Sequence, residues 1–313
     1  MPNKRIQNKI AESRFALPLV VVYAIVVYIA CGLIEKQLWI QFACLVCCTI
    51  LMVELNNRNA LIRIYSRMFS CSFLVLSVTA NFLFPSLQAS ILQLCICTFY
   101  ILLFQAYQDK HATGWIFYAF LCIGTASIVF VQILFYVPLF WILMIFNILS
   151  FSHKTFWASI LGLTTPYWFL GGYYLYIGDT SGFIAHWMEL AQFQPLFDYT
   201  MVTRQQAITF FFVVVLSLIG GIHFFRNSFK DKIRTRMLYE LFITVDVCSI
   251  VFIVLQPQHY TYIMPVTIIN TAPLIGHYIA LTHTKITNIS FYVIVLTALA
   301  ITAYNLWIPS LTF

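Results

Sequence analysis

Charge is what this sequence has least of. Asp, Glu, Lys and Arg make up 9% of its 313 residues, where a water-soluble domain carries about a quarter, so a chain with its whole surface in water is excluded. Polar linkers are equally scarce. No stretch between apolar runs is long enough to fold separately, which leaves a single integral membrane domain over residues 1–313. Loops contain no cysteine: Cys31, Cys44, Cys47, Cys48, Cys71, Cys95, Cys97, Cys122 and Cys248 all fall inside apolar runs, which excludes a disulfide framework. The spacing Cys44-x-x-Cys47-Cys48 is zinc-like but lacks the four ligands and the aqueous route of a structural zinc site. No metal and no cofactor is expected, and no recognisable catalytic motif stands out.

What is present is hydrophobic: 62% of residues are apolar and 18% aromatic, with a mean hydropathy of +0.89. A bilayer core about 30 Å thick is crossed by about 20 apolar residues in a helix. That ruler predicts an all-α, polytopic transmembrane bundle of about eleven spans, near 15–34, 37–55, 69–84, 87–107, 113–130, 133–151, 155–177, 207–225, 238–256, 259–281 and 287–308. Two places are weakest: the short third span, ending at Phe84-Pro85, and the junction at Val131-Gln132, where no charge marks a turn. The first span follows a basic stretch without a small-x-small cleavage site, so it is read as uncleaved. Tyr28-Ile29-Ala30-Cys31 resembles a lipoprotein processing site only faintly.

Charge orients the count, because Lys and Arg gather on the cytoplasmic side of membrane helices. With the N-terminus inside, all seventeen basic residues but Lys36 and Arg204 fall on inner segments, and the C-terminus lies outside. The formal net charge of +7 punctuates apolar runs instead of covering one exposed face, so it speaks for orientation and not for a nucleic-acid partner. Basic inner segments lie at 1–14, 56–68 and 226–236.

Three segments outside the spans are candidates for function. Residues 56–68 place Leu61, Ile62, Tyr65 and Met68 at helical spacing, which predicts a short interfacial helix. Arg58, Arg63 and Arg67 on this segment are suited to gripping a phosphate or anionic head group through forked hydrogen bonds; serving as orientation signals on lipid phosphates explains them equally. Residues 178–206 form the largest outer loop. There Phe183, Ile184, Trp187, Leu190 and Ala191 follow a helical stripe, while His186, Glu189, Asp198 and Arg204 bring together an imidazole, two carboxylates and a guanidinium, the groups that acid-base chemistry on a phosphorylated substrate requires. In such a site Glu189 or Asp198 is the base, His186 the acid or orienter and Arg204 the phosphate clamp. The run 226–236 is the strongest basic cluster and suits anionic lipid, a protein partner, or orientation alone.

Within the spans Asp246 stands out, about ten residues into its helix. A lone carboxylate there costs at least about 2.5 kcal/mol on insertion scales, so it must face protein or water. Asn270 runs back at matching depth, with His277 beyond it, and an Asp246–Asn270 hydrogen bond is expected to act as interhelical glue; a titrating Asp246 would instead mark a proton-coupled carrier. Pro166, Gly171-Gly172, Pro265 and Pro273 are expected to interrupt or kink their helices. His111, His153, His259 and His283 sit at loop edges and are read as interfacial.

Leu55-Asn56-Asn57-Arg58 with Leu61-Ile62-Arg63, Leu161-Gly162-Leu163 with Pro166-Tyr167, Arg234-Thr235-Arg236, and Pro265 to Tyr278 resemble an uncharacterised family of multi-pass inner-membrane proteins of Bacteroidota. The resemblance implies a Gram-negative inner membrane and no established activity. More remotely, the many-helix plan, the apolar stretch Gly124 to Leu149 and Tyr262-Ile263-Met264-Pro265 are similar to membrane domains of polyprenyl-phosphate-dependent glycosyltransferases and polysaccharide polymerases. Those transferases carry a catalytic carboxylate in a long first outer loop, which here is little more than Glu35-Lys36.

Together these readings lead to the expectation of an inner-membrane protein of cell-envelope biogenesis. It would handle a lipid-linked glycan or phospholipid, as transferase or polymerase. The alternatives are a proton-coupled carrier or flippase, in which Asp246 and Asn270 contact substrate, and a non-catalytic membrane subunit of a larger complex. Membrane lipids are the expected partners, with a protein partner docking on the inner basic segments in the last case.

Overall fold

The computed structural model describes residues 5–178 and 180–307. Lys4 of the basic segment 1–14 and the final residue of the span expected at 287–308 lie outside the described residues. Every regular element among them is helical. In chain order these are α1 (Ile6–Ala11), α2 (Ala16–Ala30), α3 (Trp39–Asn59), α4 (Met68–Thr79), α5 (Leu87–Gln105), α6 (Thr113–Val129), α7 (Val137–Phe146), α8 (His153–Ile177), α9 (Thr180–Met188), α10 (Arg204–Asn227), α11 (Ile233–Leu255), α12 (Tyr260–Leu281) and α13 (Lys285–Trp307).

A helix stands over each apolar run. Six of them, α3, α5, α10, α11, α12 and α13, are long and apolar enough to cross a membrane. The other apolar helices, α2, α4, α6 and the pair made by residues 131–136 and α7, are shorter. α8 has 25 residues, but Thr, Tyr, Trp and Gly dilute its second half. By length and apolarity alone, then, six helices among the described residues qualify as crossings.

The junction at Val131-Gln132 is a true break. Phe130 takes an extended backbone (φ −145°, ψ 93°), ends α6, and leads into a 3-10 turn over Val131–Tyr136. None of the three prolines interrupts its helix: α8 runs continuously through Pro166 and α12 through both Pro265 and Pro273. The interfacial helix expected at 56–68 is absent. α3 continues to Asn59, Ala60 turns the chain in a left-handed conformation, and residues 61–67 are irregular. The reason is local: Asn56 accepts the amide of Ile62 (3.1 Å) and Leu61 is fully buried, so the chain folds back on the bundle here instead of continuing as a helix.

α12 is the axis of the fold. All of its membrane-length window is buried, enclosed by α4, α5, α10 and α11. A helix without an exposed face has no use for amphipathicity, and α12 accordingly mixes Ile, Leu and Val with Thr, Asn and His all round. Close approach is bought by small residues, since lipid offers helices no hydrophobic reason to associate and packing must do it. A Cβ at Gly220 of α10 would lie 2.7 Å from Leu274, and one at Gly276 would lie 3.1 Å from the backbone of Met68 and Phe69. The α6–α8 pair is made the same way: Cβ atoms at Gly124 and Gly162 would fall 2.6 Å and 2.4 Å from the carbonyls of Leu163 and Phe117.

Hydrogen bonds between chain segments define two ends of the bundle. At one, called here the basic end, Gln7 of α1 donates to the Ile279 carbonyl (2.7 Å), and the loops 60–67 and 228–232 meet. At the opposite end, Tyr260 donates to the Gln206 carbonyl (3.0 Å) and Phe197 N–H to the Leu255 carbonyl (3.4 Å).

Candidate functional site

Midway along the bundle lies a closed polar layer. Asp246 of α11 is fully buried and accepts hydrogen bonds from Ser217 of α10 and from Thr271 of α12, the latter 3.2 Å from both carboxylate oxygens. Asn270 is not its partner. Its carbonyl oxygen accepts from Tyr100 of α5 (2.7 Å), and its amide donates to the Val266 carbonyl (2.7 Å). The expected Asp246–Asn270 bond is thus replaced by two hydroxyls, because residue 271, one position on, is the side chain that α12 turns toward α10 and α11. Ser217 and Thr271 escaped notice in the sequence because hydroxyl residues are common in apolar helices; only the depth match with Asp246 singles them out.

The basic end carries a second network. Asp231, on the turn between α10 and α11, has a side chain 2% exposed and lies 3.1 Å from Nε2 of His277 and 3.5 Å from the guanidinium of Arg63. Arg63 also donates to the Lys230 carbonyl (3.4 Å). Arg234 donates to Asn59 (2.7 Å) and to the Phe104 carbonyl (3.2 Å), and covers the Tyr107 ring at 5.3 Å. A cation at the carbonyl end of α5 is the sense that a helix dipole favours. The three candidate arginines diverge: Arg63 joins this network, Arg58 pairs with Glu54 one turn back (2.5 Å), and Arg67 donates to Asn57 (3.3 Å) and caps the Tyr65 ring at 5.4 Å. They do not form one anion clamp. Asp231 was missed, as were His223 and Tyr239, whose rings lie 5.6 and 4.9 Å from that of His277, and one cue was available: Tyr239 and Asp246, like Asn270 and His277, are seven residues apart and therefore share a helix face two turns apart.

At the opposite end each of the four candidate chemical groups has surroundings of its own. His186 on α9 lies against Tyr167 and Trp187, with ring centroids 6.0 and 6.3 Å away. Glu189 starts a 3-10 turn, and its backbone carbonyl, not its carboxylate, accepts from Gln132 (3.0 Å). Asp198 accepts from the amide (3.1 Å) and hydroxyl (2.7 Å) of Thr200, bonds that hold its carboxyl below the usual carboxylate range and weaken it as a base. Arg204 is the first residue of α10, following a capping box between Thr203 and Gln206. No hydrogen bond or ion pair joins any two of these four among the described residues. The expected helix does form over 180–188, with Phe183 beside Tyr174 (6.1 Å) and Trp187 beside Tyr167 (4.7 Å).

This loop does roof a cavity. Phe193, Gln194 and Leu196 close over a groove of about 590 Å³ whose walls are Phe135, Tyr136 and Leu139 on one side and Val247, Val251 and Phe252 of α11 on the other. Val247 and Val251 are about half exposed, so the groove opens sideways from the bundle. Gln256 ties the roof down by donating to the Gln194 carbonyl (3.0 Å). A smaller cavity of about 290 Å³ lies between α10 and α11, lined by Phe210, Val214, Ile253 and Tyr260 among others. No three or more His, Cys, Asp or Glu residues are grouped to hold a metal among the described residues.

Comparison with protein-family models, with curated proteins and with solved structures gave no match. Fold and site therefore define the class alone: a helical membrane protein with a buried polar layer and a side-opening apolar groove.

Proposed function

We propose that this protein crosses the inner membrane about eleven times with its basic end in the cytoplasm, and that it handles a lipid-type substrate of the cell envelope. The substrate is a lipid-linked glycan or phospholipid whose hydrocarbon chain lies in the groove beside α11. The orientation rests on the rule that basic residues stay inside: Arg58, Arg63, Arg67, Lys230, Lys232, Arg234 and Arg236 all belong to one end of the bundle.

The observation that carries the reading is the groove. Its lining is almost wholly apolar, its volume falls within the range of ligand pockets, and its open side faces where lipid tails lie. The polar head of such a ligand would rest under the loop that holds Glu189, Gln194 and Asp198. Binding or carrying a lipid needs no convergence of catalytic groups, and it is favoured over acid-base transfer because Asp198 is already held by Thr200 and none of His186, Glu189, Asp198 and Arg204 bonds another among the described residues.

The test is to purify the full chain in native-lipid particles, identify the retained lipids by mass spectrometry, and compare Val251→Trp, which fills the groove. A polyprenyl-phosphate glycan or a distinct phospholipid enriched in the wild type and lost in the variant is expected. The same bulk lipids in both preparations, at unchanged protein stability, would sink the reading.

A further inference from the structure

The loop over the end opposite the basic one crosses the C-terminal end of α11 and roofs a cavity on each side of it. Phe193 and Leu196 close the larger, of about 590 Å³, and Tyr199 and Val202 the smaller, of about 290 Å³, between α10 and α11. Between the two roofs the loop is fastened to the helix. The Phe197 amide donates to the Leu255 carbonyl (3.4 Å) and the Tyr199 hydroxyl to the Val254 carbonyl (2.9 Å).

A ridge separates the cavities. Val247, Val251 and Val254 follow one another at spacings of four and three, so they stand in one row on a face of α11. The 3.6-residue turn then puts Cys248 and Phe252 on one flank of that row and Ile253 on the other, and these line the larger and the smaller cavity respectively. Val247 and Val251 are about half exposed. Because α11 is long and apolar enough to cross a membrane, what meets this ridge is hydrocarbon. The cavities are two furrows for apolar chains, side by side under one roof.

Charge at the rim says what joins the chains. Arg204 begins α10, and Ala207, one turn along the same face, lines the smaller cavity. Arg204 has no ion-pair partner among the described residues, and the dipole of α10 opposes a cation at its first residue. An anion is what this position lacks. Asp198, between the two roofs, already accepts twice from Thr200.

We propose that the occupant is a two-chain phospholipid, with one acyl chain in each cavity, the backbone that joins them astride the α11 ridge, and the phosphate against Arg204. A polyprenyl phosphate has a single chain and leaves one furrow empty. The inference rests on the lipid reading above and narrows it from a lipid-linked glycan or phospholipid to the second.

The test is photolabelling of the full chain in phosphatidylcholine vesicles that carry a trace of phosphatidylethanolamine with a diazirine in one acyl chain, either the sn-1 or the sn-2, read by mass spectrometry of the labelled peptides. Leu296 of α13, 65% exposed, reports passing lipid and sets the background. Labelling several-fold above it is expected on the walls of both cavities. Leu139→Trp fills the larger cavity and Val214→Trp the smaller, each from the wall away from α11, and each is expected to lower both walls to the Leu296 level, because one molecule holds both. Ala207→Phe, at an exposed place on the rim, replaces Val214→Trp if that variant does not fold. Arg204→Gln should lower both walls together by about threefold, the size of an exposed ion pair. If each filling variant empties only its own wall, the proposal falls while the lipid reading stands; if neither wall exceeds Leu296 in the wild type, both fall.

Discussion

The two ends of the bundle solve different problems. At the basic end three chain segments converge on buried charge: Arg63, Asp231 and His277 come from two loops and α12, and α1 is pinned over them by Gln7 and Asn8. At the opposite end α11 borders two cavities, one shared with residues 135–139 and the loop 193–196 and one with α10, and that loop exposes Phe193, Leu196, Phe197 and Met201. Polar satisfaction holds one end shut. Apolar surface left uncovered keeps the other able to admit hydrocarbon. The lesson is that the charged residues of this chain serve closure, while the region with room for a ligand has almost none.

The strongest way to break this comparison is to remove Asp231. Asp231→Ala strands Arg63 and His277, and breaking one partner of a buried pair costs about 3–5 kcal/mol; since Arg63 is 39% exposed and can turn to water, the lower end of that range is expected. Glu189→Ala, in the opposite loop, should stay within about 0.5 kcal/mol, the usual size of a surface change. Thermal unfolding of both variants in the same lipid particles checks the contrast. Equal losses would mean that the two ends are held alike.

Glycines sharpen the contrast at smaller scale. Gly276 faces backbone atoms of α4 at 3.1 Å, whereas a Cβ on Gly172 of α8 meets nothing within 4 Å. Gly276→Ala should therefore force α4 and α12 apart and cost about 1–3 kcal/mol. Gly172→Ala should be neutral or stabilise by up to about 1 kcal/mol, through lower chain entropy alone. Circular dichroism melts of the two variants would show it, and a destabilised Gly172→Ala would reveal packing against α8 that the isolated chain lacks.

Much of this architecture is legible in the sequence, and what is not has a physical reason. Apolar runs locate the helices because helix length must match bilayer thickness, and the scarcity of charge makes Asp246 conspicuous. Its partners are not legible. Which of Asn270 and Thr271 meets it depends on the rotation of α12, and a helix buried on every side has no polar stripe to reveal that angle. The loop 60–67 misleads for a related reason: Leu61, Ile62, Tyr65 and Met68 have helical spacing, but Asn56 reaches across the turn to Ile62 and bends the chain instead. The groove is invisible because its walls come from segments far apart in sequence, 135–139, 193–196 and 247–256.

The smallest effect concerns Asp198, and it bears on whether the opposite end can do acid-base chemistry. Thr200 donates twice to its carboxylate and holds its pKa below the usual value, near 3.9 for a free Asp side chain. A carboxyl lower in the folded than in the unfolded chain adds stability that is present above the unfolded value and lost as pH falls through the folded one. The stabilisation is therefore present at neutral pH, its pH dependence is confined to acid conditions, and it is local to this surface turn. Following the Asp198 carboxyl carbon by NMR should give a midpoint below the ordinary Asp value, rising toward it in Thr200→Val, with a small loss of thermal stability at neutral pH in the variant that shrinks as the pH is lowered. A wild-type midpoint above the ordinary value would restore Asp198 as a base and bring the outer loop back as a catalytic surface. A lowered one leaves the loop as a roof, because a carboxylate that already accepts two hydrogen bonds holds a substrate proton weakly.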